Sequence, residues 1–170
     1  VMEIRENSTR DGLIYLCYHL RDVVWQEDAE LEINQVHREG KLRPWQLEQL
    51  FGRKGKGYFG IHSKIQEAKN NPSDVNRPFK TRHIILPRDE YEEPARSDGE
   101  KPYGARLPWV SIYIDVENEH IMEECGRPAM DYVIPRWQTV SGSQYAHGPA
   151  YVGLADARLL QQMTLTLLEA

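Results

Sequence analysis

Between positions 109 and 116 the chain alternates without a break. Val110, Ile112, Ile114 and Val116 fall on one side, and Ser111, Tyr113 and Asp115 on the other. A period of two fits a strand and no helix, because successive side chains of a strand point to opposite faces. A strand needs partners, so this one feature commits the chain to a sheet. Residues 117–119 make a turn, and residues 120–124 return as a hairpin partner. Residues 12–20 and 22–27 are short runs rich in aromatic and branched residues, which favour strands. Leu31, Ile33 and Gln35 alternate with Glu32, Asn34 and Val36 in a third, half-buried strand that Gly40 is expected to break. Residues 79–86 read as a strand ending at Pro87. Residues 132–140 are extended, but Pro135 keeps them from a central position in a sheet. The short spacings favour antiparallel neighbours.

Helical patterning is confined to three places. Pro44 suits the first position of a helix, Trp45, Leu47, Leu50 and Phe51 follow, and Gly52 suits the exit. Residues 61–69 place Ile61, Ile65 and Ala68 on one side of a short helix. Residues 70–74 are a turn cluster. The strongest pattern is the last. On a 3.6-residue wheel, Val152, Ala155, Leu159, Met163 and Leu167 share a face, with Leu160 beside them. Leu154, Leu165 and Leu168 form a second stripe roughly opposite, and Arg158, Gln162 and Glu169 lie between. Two stripes call for cover on two sides. The second cover is either a neighbouring molecule or another layer of a longer chain. The sequence opens at Val1 and stops at Ala170 inside this pattern, as a fragment of a longer protein would. The expected fold is α+β: a mainly antiparallel sheet holding residues 109–116 and 120–124, helices at 44–51 and 61–69, and a long helix at 154–169.

Composition narrows the function. The formal net charge is −5. Sequence-independent binding to duplex DNA uses several Lys or Arg at phosphates, so an acidic chain of this size is poorly made for it. No apolar run approaches the roughly 18 residues that span a bilayer. Cys17 and Cys125 lack metal-site spacing and read as two reduced thiols.

A search for catalytic groups gives little. The stretch at 53–60 is rich in Gly and Lys but lacks the Gly-Lys-Ser/Thr ending of a phosphate loop. His19, His37, His62, His83, His120 and His147 are scattered and form no zinc motif, although His19 and His37 lie on or beside strands that could bring them together. Asp115, Glu117 and Glu119 alternate near a strand end, as nuclease metal ligands sometimes do, but the nearby basic residue such a site requires is not evident and a solvated hairpin explains the same residues. Ser141-Gly142-Ser143 is no nucleophile elbow. Asp89, Glu90, Glu92 and Glu93 lie in a polar loop at 88–101 and read as a solvated run.

One stretch carries more information by its order. Tyr132-Val133-Ile134-Pro135-Arg136-Trp137 is followed by Val140-Ser141-Gly142, then Tyr145, then Gly148-Pro149-Ala150, then Leu154 and a leucine-rich helix. This resembles the portal, or head-to-tail connector, proteins of short-tailed bacteriophages. There an extended Pro-Arg-Trp segment leads through a Ser-Gly and a Tyr-Gly-Arg-Gly-Pro-like turn into a long helix. Other parts match in order: Asp28 before a strand ending in His37-Arg38; a helix with Gln46, Leu50, Phe51 and Gly52; Ile84-Ile85-Leu86-Pro87-Arg88; and a hairpin ending in Glu124-Cys125-Gly126. Ala146-His147 replaces the family's usual Gly-Arg, and Ala155 stands where a proline often begins the next helical turn.

The resemblance implies a structural role with no catalytic site, cofactor or metal. Portal proteins form a ring, usually of twelve subunits, at one capsid vertex. They work with capsid, scaffold, terminase and tail adaptor proteins, and DNA passes through the channel without sequence-specific binding. Residues 1–150 would correspond to the outer wing and 151–170 to the start of the stem helix. The location implied is the virion, with assembly in the host cytoplasm. The motif residues Pro135, Arg136, Trp137, Ser141, Gly142, Tyr145, Gly148, Pro149 and Leu154 would be structural. Trp137 is expected to be buried, anchoring the entry to the last helix, rather than exposed at a subunit contact. The competing reading is a metal-dependent nuclease or another phage-encoded α+β enzyme, with metal at the 115–119 end.

Overall fold

The computed structural model describes residues 1–6, 11–52, 54–55, 57–92 and 103–169. Parts of the Gly/Lys stretch at 53–60 and of the polar loop at 88–101, Glu93 included, lie outside the described residues. The chain divides into two compact units, Val1–Val133 and Ile134–Ala170.

The first unit contains β1 (Met2–Glu6), β2 (Leu13–Cys17), β3 (Val23–Glu27), β4 (Ile33–Leu42), α1 (Pro44–Phe51), β5 (Lys54–Gly55), β6 (Tyr58–Phe59), α2 (Ser63–Asn70), β7 (Phe79–Pro87), β8 (Trp109–Asp115), β9 (His120–Arg127) and β10 (Tyr132–Val133). Seven strands form one sheet in the order β3-β4-β7-β8-β9-β6-β5, and three form a second in the order β10-β1-β2. Every ladder between them is antiparallel. The expected α+β class is the one observed. The hairpin expected from 109–116 and 120–124 is the β8–β9 pair, in the middle of the large sheet.

The register explains which residues are buried. Residues directly opposite across a ladder share a face. Arg38 pairs with His83 and His83 with Tyr113, so all three project from one face. At one end of that face Phe79 and Tyr113 meet Leu47, Phe51, Ile61, Ile65, Ala68 and Met122 in an apolar core that the two short helices close. On β8 the polar-looking side, Ser111, Tyr113 and Asp115, is buried, and so are Val110 and Ile112 of the other side. The strand is covered on both faces.

Two local expectations need correction. Gly40 does not break its strand: β4 runs through it, because the ladder to β7 continues as Gly40↔Thr81, Lys41↔Lys80 and Leu42↔Phe79. Cross-strand pairing outweighs the modest entropic penalty of one glycine. The strand also starts later than the alternation suggests. The Asp28 carboxylate accepts from the backbone N–H groups of Glu30 (2.9 Å) and Glu32 (3.0 Å), and Leu31 sits at φ 64°, so 28–32 is a turn. Gly126 at the end of β9 has a definite reason to be glycine: a Cβ there would stand 1.9 Å from the Gly104 carbonyl oxygen.

The small sheet is tied to the large one by polar groups. Glu3 of β1 is almost wholly buried. Its carboxylate accepts from the Tyr18 hydroxyl at 2.7 Å and from the Tyr113 hydroxyl at 3.4 Å, and lies 3.8 Å from an Arg38 Nη. The Arg38 guanidinium stacks over the Tyr18 ring at 4.2 Å. Its Nε donates to the Tyr132 hydroxyl at 2.8 Å, and that hydroxyl lies 2.6 Å from His83 Nδ1. An arginine nitrogen can only donate. The Tyr132 hydroxyl therefore accepts from Arg38. The other ring nitrogen, Nε2, lies 2.9 Å from Ser111 Oγ, so both nitrogens of His83 have a hydroxyl partner. The His83 ring also stacks on Tyr113 at 3.9 Å and 5°.

Breaking a buried charge pair from one side costs about 3–5 kcal/mol, because the other charge is left uncompensated. Glu3→Ala is expected to destabilise by that amount in urea titration. Glu3→Gln combined with Arg38→Met should recover much of the loss, since no unpaired charge remains. The network also sets a pH dependence. Burial, then the positive charges of Arg38, Arg127 and Arg5, hold His83 well below the ordinary histidine range. Below about pH 6.5 the unfolded chain takes up a proton that the folded chain refuses. Stability is therefore full above that pH and falls as pH drops through it, by at most about 1.4 kcal/mol per pH unit for one group. His37, held down by burial and then by Arg82, adds in the same direction. Asp131 and Glu123, whose carboxyls burial pushes up, act oppositely and only nearer the carboxylate range. Melting temperature should fall between pH 7 and pH 5.5, and His83→Gln should flatten that slope.

Candidate functional site

The resemblance motif falls across the end of the first unit and the whole of the second. Tyr132 is buried in the network just described. The rest builds a hairpin and a helix: β11 (Gln138–Val140), β12 (Ser143–His147) and α3 (Pro149–Glu169). Ser141 and Gly142 form the hairpin turn. Gly142 sits at φ 79°, which other residues adopt only at a cost, and the register is Gln138↔His147 and Val140↔Ser143. Ser143 Oγ accepts from the Tyr145 N–H at 3.3 Å and donates to its carbonyl at 3.1 Å, which stiffens the returning strand. Gly148 and Pro149 then turn the chain into the helix. Pro149 takes the first helical position, where its missing N–H costs nothing, and the Tyr151 N–H bonds to the Gly148 carbonyl at 2.9 Å.

The two departures from the family pattern have visible consequences. His147 stacks on Tyr151 at 3.9 Å, so an aromatic contact joins β12 to the first turn of α3. With Ala155 in place of proline the helix starts at Pro149, five residues before the expected 154, and runs unbroken for 21 residues. Thr164 and Thr166 return their hydroxyls to the Leu160 and Gln162 carbonyls at 2.8 and 3.0 Å. Among the described residues no helix is long and apolar enough to cross a membrane.

The expectation that Trp137 is buried is wrong: the residue is 77% exposed. It leads into a two-stranded hairpin, and such a ribbon has no second layer to receive a large ring. Pro135 is exposed too, Arg136 is half-buried, and Tyr145 and Leu154 stand largely in solvent. The helix buries none of its residues. Both of its apolar stripes are exposed, Leu159, Met163 and Leu167 on one and Leu154, Leu165 and Leu168 on the other. Fully burying a leucine is worth about 1.5–3 kcal/mol, so these side chains carry a large unspent drive toward a partner.

The groups considered for metal chemistry have structural duties. Asp115 is fully buried and accepts from the Glu117 N–H at 3.1 Å and from Asn118 Nδ2 at 2.6 Å, shaping the β8–β9 turn. Glu117 accepts from Arg77 at 3.1 Å and from the Lys80 N–H at 3.2 Å. His19 and His62 each take a backbone N–H at the start of a helical segment. Among the described residues no three His, Cys, Asp or Glu stand together as a metal site would require. Cys125 is buried and its thiol is pushed up to about 12, first by burial, which leaves it unreactive; Cys17 is exposed.

The helix thus leaves its apolar stripes exposed, and in the first unit the buried Glu3, Arg38 and His83 bond within the fold. The chain matches the model of the bacteriophage head to tail connecting protein family over residues 1–170. It belongs to that family. A search of the curated proteins finds no match. The connector is thus a structural component of the phage virion at the junction of head and tail.

Trp137→Ala in the connector is expected to change stability by less than about 0.5 kcal/mol, as exposed substitutions do. Tyr132→Phe, five residues earlier, strands Arg38 Nε and His83 Nδ1 and should cost about 1–3 kcal/mol. Thermal melts of the two variants in parallel measure both.

Proposed function

We propose that the chain is a portal subunit of a short-tailed phage, or a piece of one, which works by closing a ring with copies of itself. The observation that carries this reading is the pair of opposed, exposed stripes on α3. A helix with one apolar stripe makes a pair. A helix with two stripes on opposite sides makes a row, in which every copy is flanked by two others. Ring subunits meet head to tail, each presenting two different surfaces, and the row closes when the rotation between copies is fixed. Residues 1–150 then form the wing of each subunit, and the helix from 151 enters the stem around the channel. The ring is a dodecamer, capsid and scaffold proteins hold it above, the tail adaptor docks below, and a terminase drives DNA through it. The net charge of −5 suits a channel through which DNA passes without adhering.

The test is native mass spectrometry on the complete subunit and on the 170-residue chain. The complete subunit should give one closed ring. The chain alone is expected to be monomeric or weakly associated, with less contact than the roughly 1,200 Å² of total surface that stable pairs bury. Leu159→Lys with Leu165→Lys, one change on each stripe, should leave the complete subunit monomeric. A complete wild-type subunit that stays monomeric at high concentration would overturn the ring.

A further inference from the structure

The sheet edges of the chain are not equally protected. An edge strand offers unpaired N–H and C=O groups to any other strand, and proteins blunt this with charges, prolines, bulges or very short edges. In the seven-stranded sheet, β3 carries Glu27 and a bulge at Gln26/Glu27, and the opposite edge, β5, is two residues long. In the three-stranded sheet, β10 is two residues long, preceded by Asp131 and followed closely by Pro135. Its other edge, β2, has none of these guards. Leu13–Cys17 reads Leu-Ile-Tyr-Leu-Cys, five residues with no charge and no proline. Leu13 and Tyr15 are 57% and 60% exposed, and among the described residues the far side of β2 pairs with nothing.

The second unit has the complementary shortage. β11 and β12 form a sheet of only two strands, and a two-stranded ribbon is at best marginally stable in water without a third strand or a packing surface. On one side β12 lies against the start of α3. On the other, β11 ends the sheet. Gln138-Thr139-Val140 is uncharged and ends in two branched residues that favour strands, and Trp137 stands exposed at its entry.

We propose that β11 of one subunit adds to the β2 edge of a second copy of the chain, so that the β10-β1-β2 sheet continues into its neighbour's hairpin. The proposal rests on the ring reading above and names a contact within it. Neither strand brings a charge to the pairing. The two surfaces are different, so the contact is head to tail and propagates, as a ring requires. Its size fits as well. An aromatic side chain buries about 150–250 Å², so Trp137 and Tyr15 with a short ladder cover only part of the roughly 1,200 Å² of a stable pair. The apolar stripes of α3 directly follow the hairpin and supply the remainder, which makes the strand contact a register-setting element of a larger interface.

Cys17 makes this testable, because it is exposed on β2 while Cys125 is buried. Single variants Trp137→Cys, Gln138→Cys and Thr139→Cys in the 170-residue chain would be oxidised at high concentration. The expected result is a ladder of linked dimers, trimers and higher species that alternates with period two along the three positions. Tyr15→Lys, an exposed site that adds the missing guard charge, should lower the yield at least tenfold. No intermolecular link at any position, equal links at all three, or a yield untouched by Tyr15→Lys would each overturn the contact. So would links within one chain. Dimers alone, formed by wild-type Cys17, would mean that β2 pairs with itself. A ring from the complete subunit without these links removes the strand contact and leaves the ring; links without a ring support the contact and remove the ring.

Discussion

The buried carboxylate of Glu3 is the point on which the larger unit turns. It comes from the first strand of the chain and meets the Arg38 guanidinium of the large sheet in a place almost closed to water. Neither charge could be buried alone without a cost of several kcal/mol. Around them Tyr18, Tyr113, Tyr132, His83 and Ser111 use their polar atoms on one another. Such a network is directional where apolar packing is not. It fixes the small sheet over one place on the large one, and the burial and nearby arginines that come with that placement keep His83 neutral. The apolar core under α1 and α2 lies at the other end of the same face and needs no such specification.

The hairpin and helix contrast with this in every respect. Among the described residues they contain no buried residue, yet they carry the longest helix, with two exposed apolar stripes. A 21-residue helix in water is only modestly stable by itself. Its stability, and that of the two-stranded hairpin, is expected to come from other copies. The division suits a head-to-tail connector. One part has a buried core and polar network, and the other leaves its apolar stripes exposed.

Much of this was readable in the sequence, for physical reasons that differ along the chain. The strict alternation around Val110 and Ile112 located the central strand, and Pro44 with Gly52 located α1. The opposed stripes of α3 were visible on a helical wheel, although its start at Pro149 was not, because the first turn lacks a clear apolar pattern. The motif around Pro135 and Gly148 pointed to the family. What the sequence hid was the polar network. Arg38 and His83 look like ordinary surface residues until the ladder places them opposite one another, as Glu3 does until the small sheet packs there, and no local pattern encodes pairing between distant strands. The exposure of Trp137 was hidden for a related reason. Burial depends on a second layer, and at that position the unit supplies none.

Hydrogen exchange read by mass spectrometry tests this division most directly. In the isolated chain, amides of β1, β4, β7, β8 and β9 should exchange slowly and as a group, since the network couples the two sheets. Amides of β11, β12 and α3 should exchange orders of magnitude faster, and should become protected once copies assemble. A helix α3 as protected as β8 in the monomer, or one that stays unprotected in the assembled particle, would contradict the account.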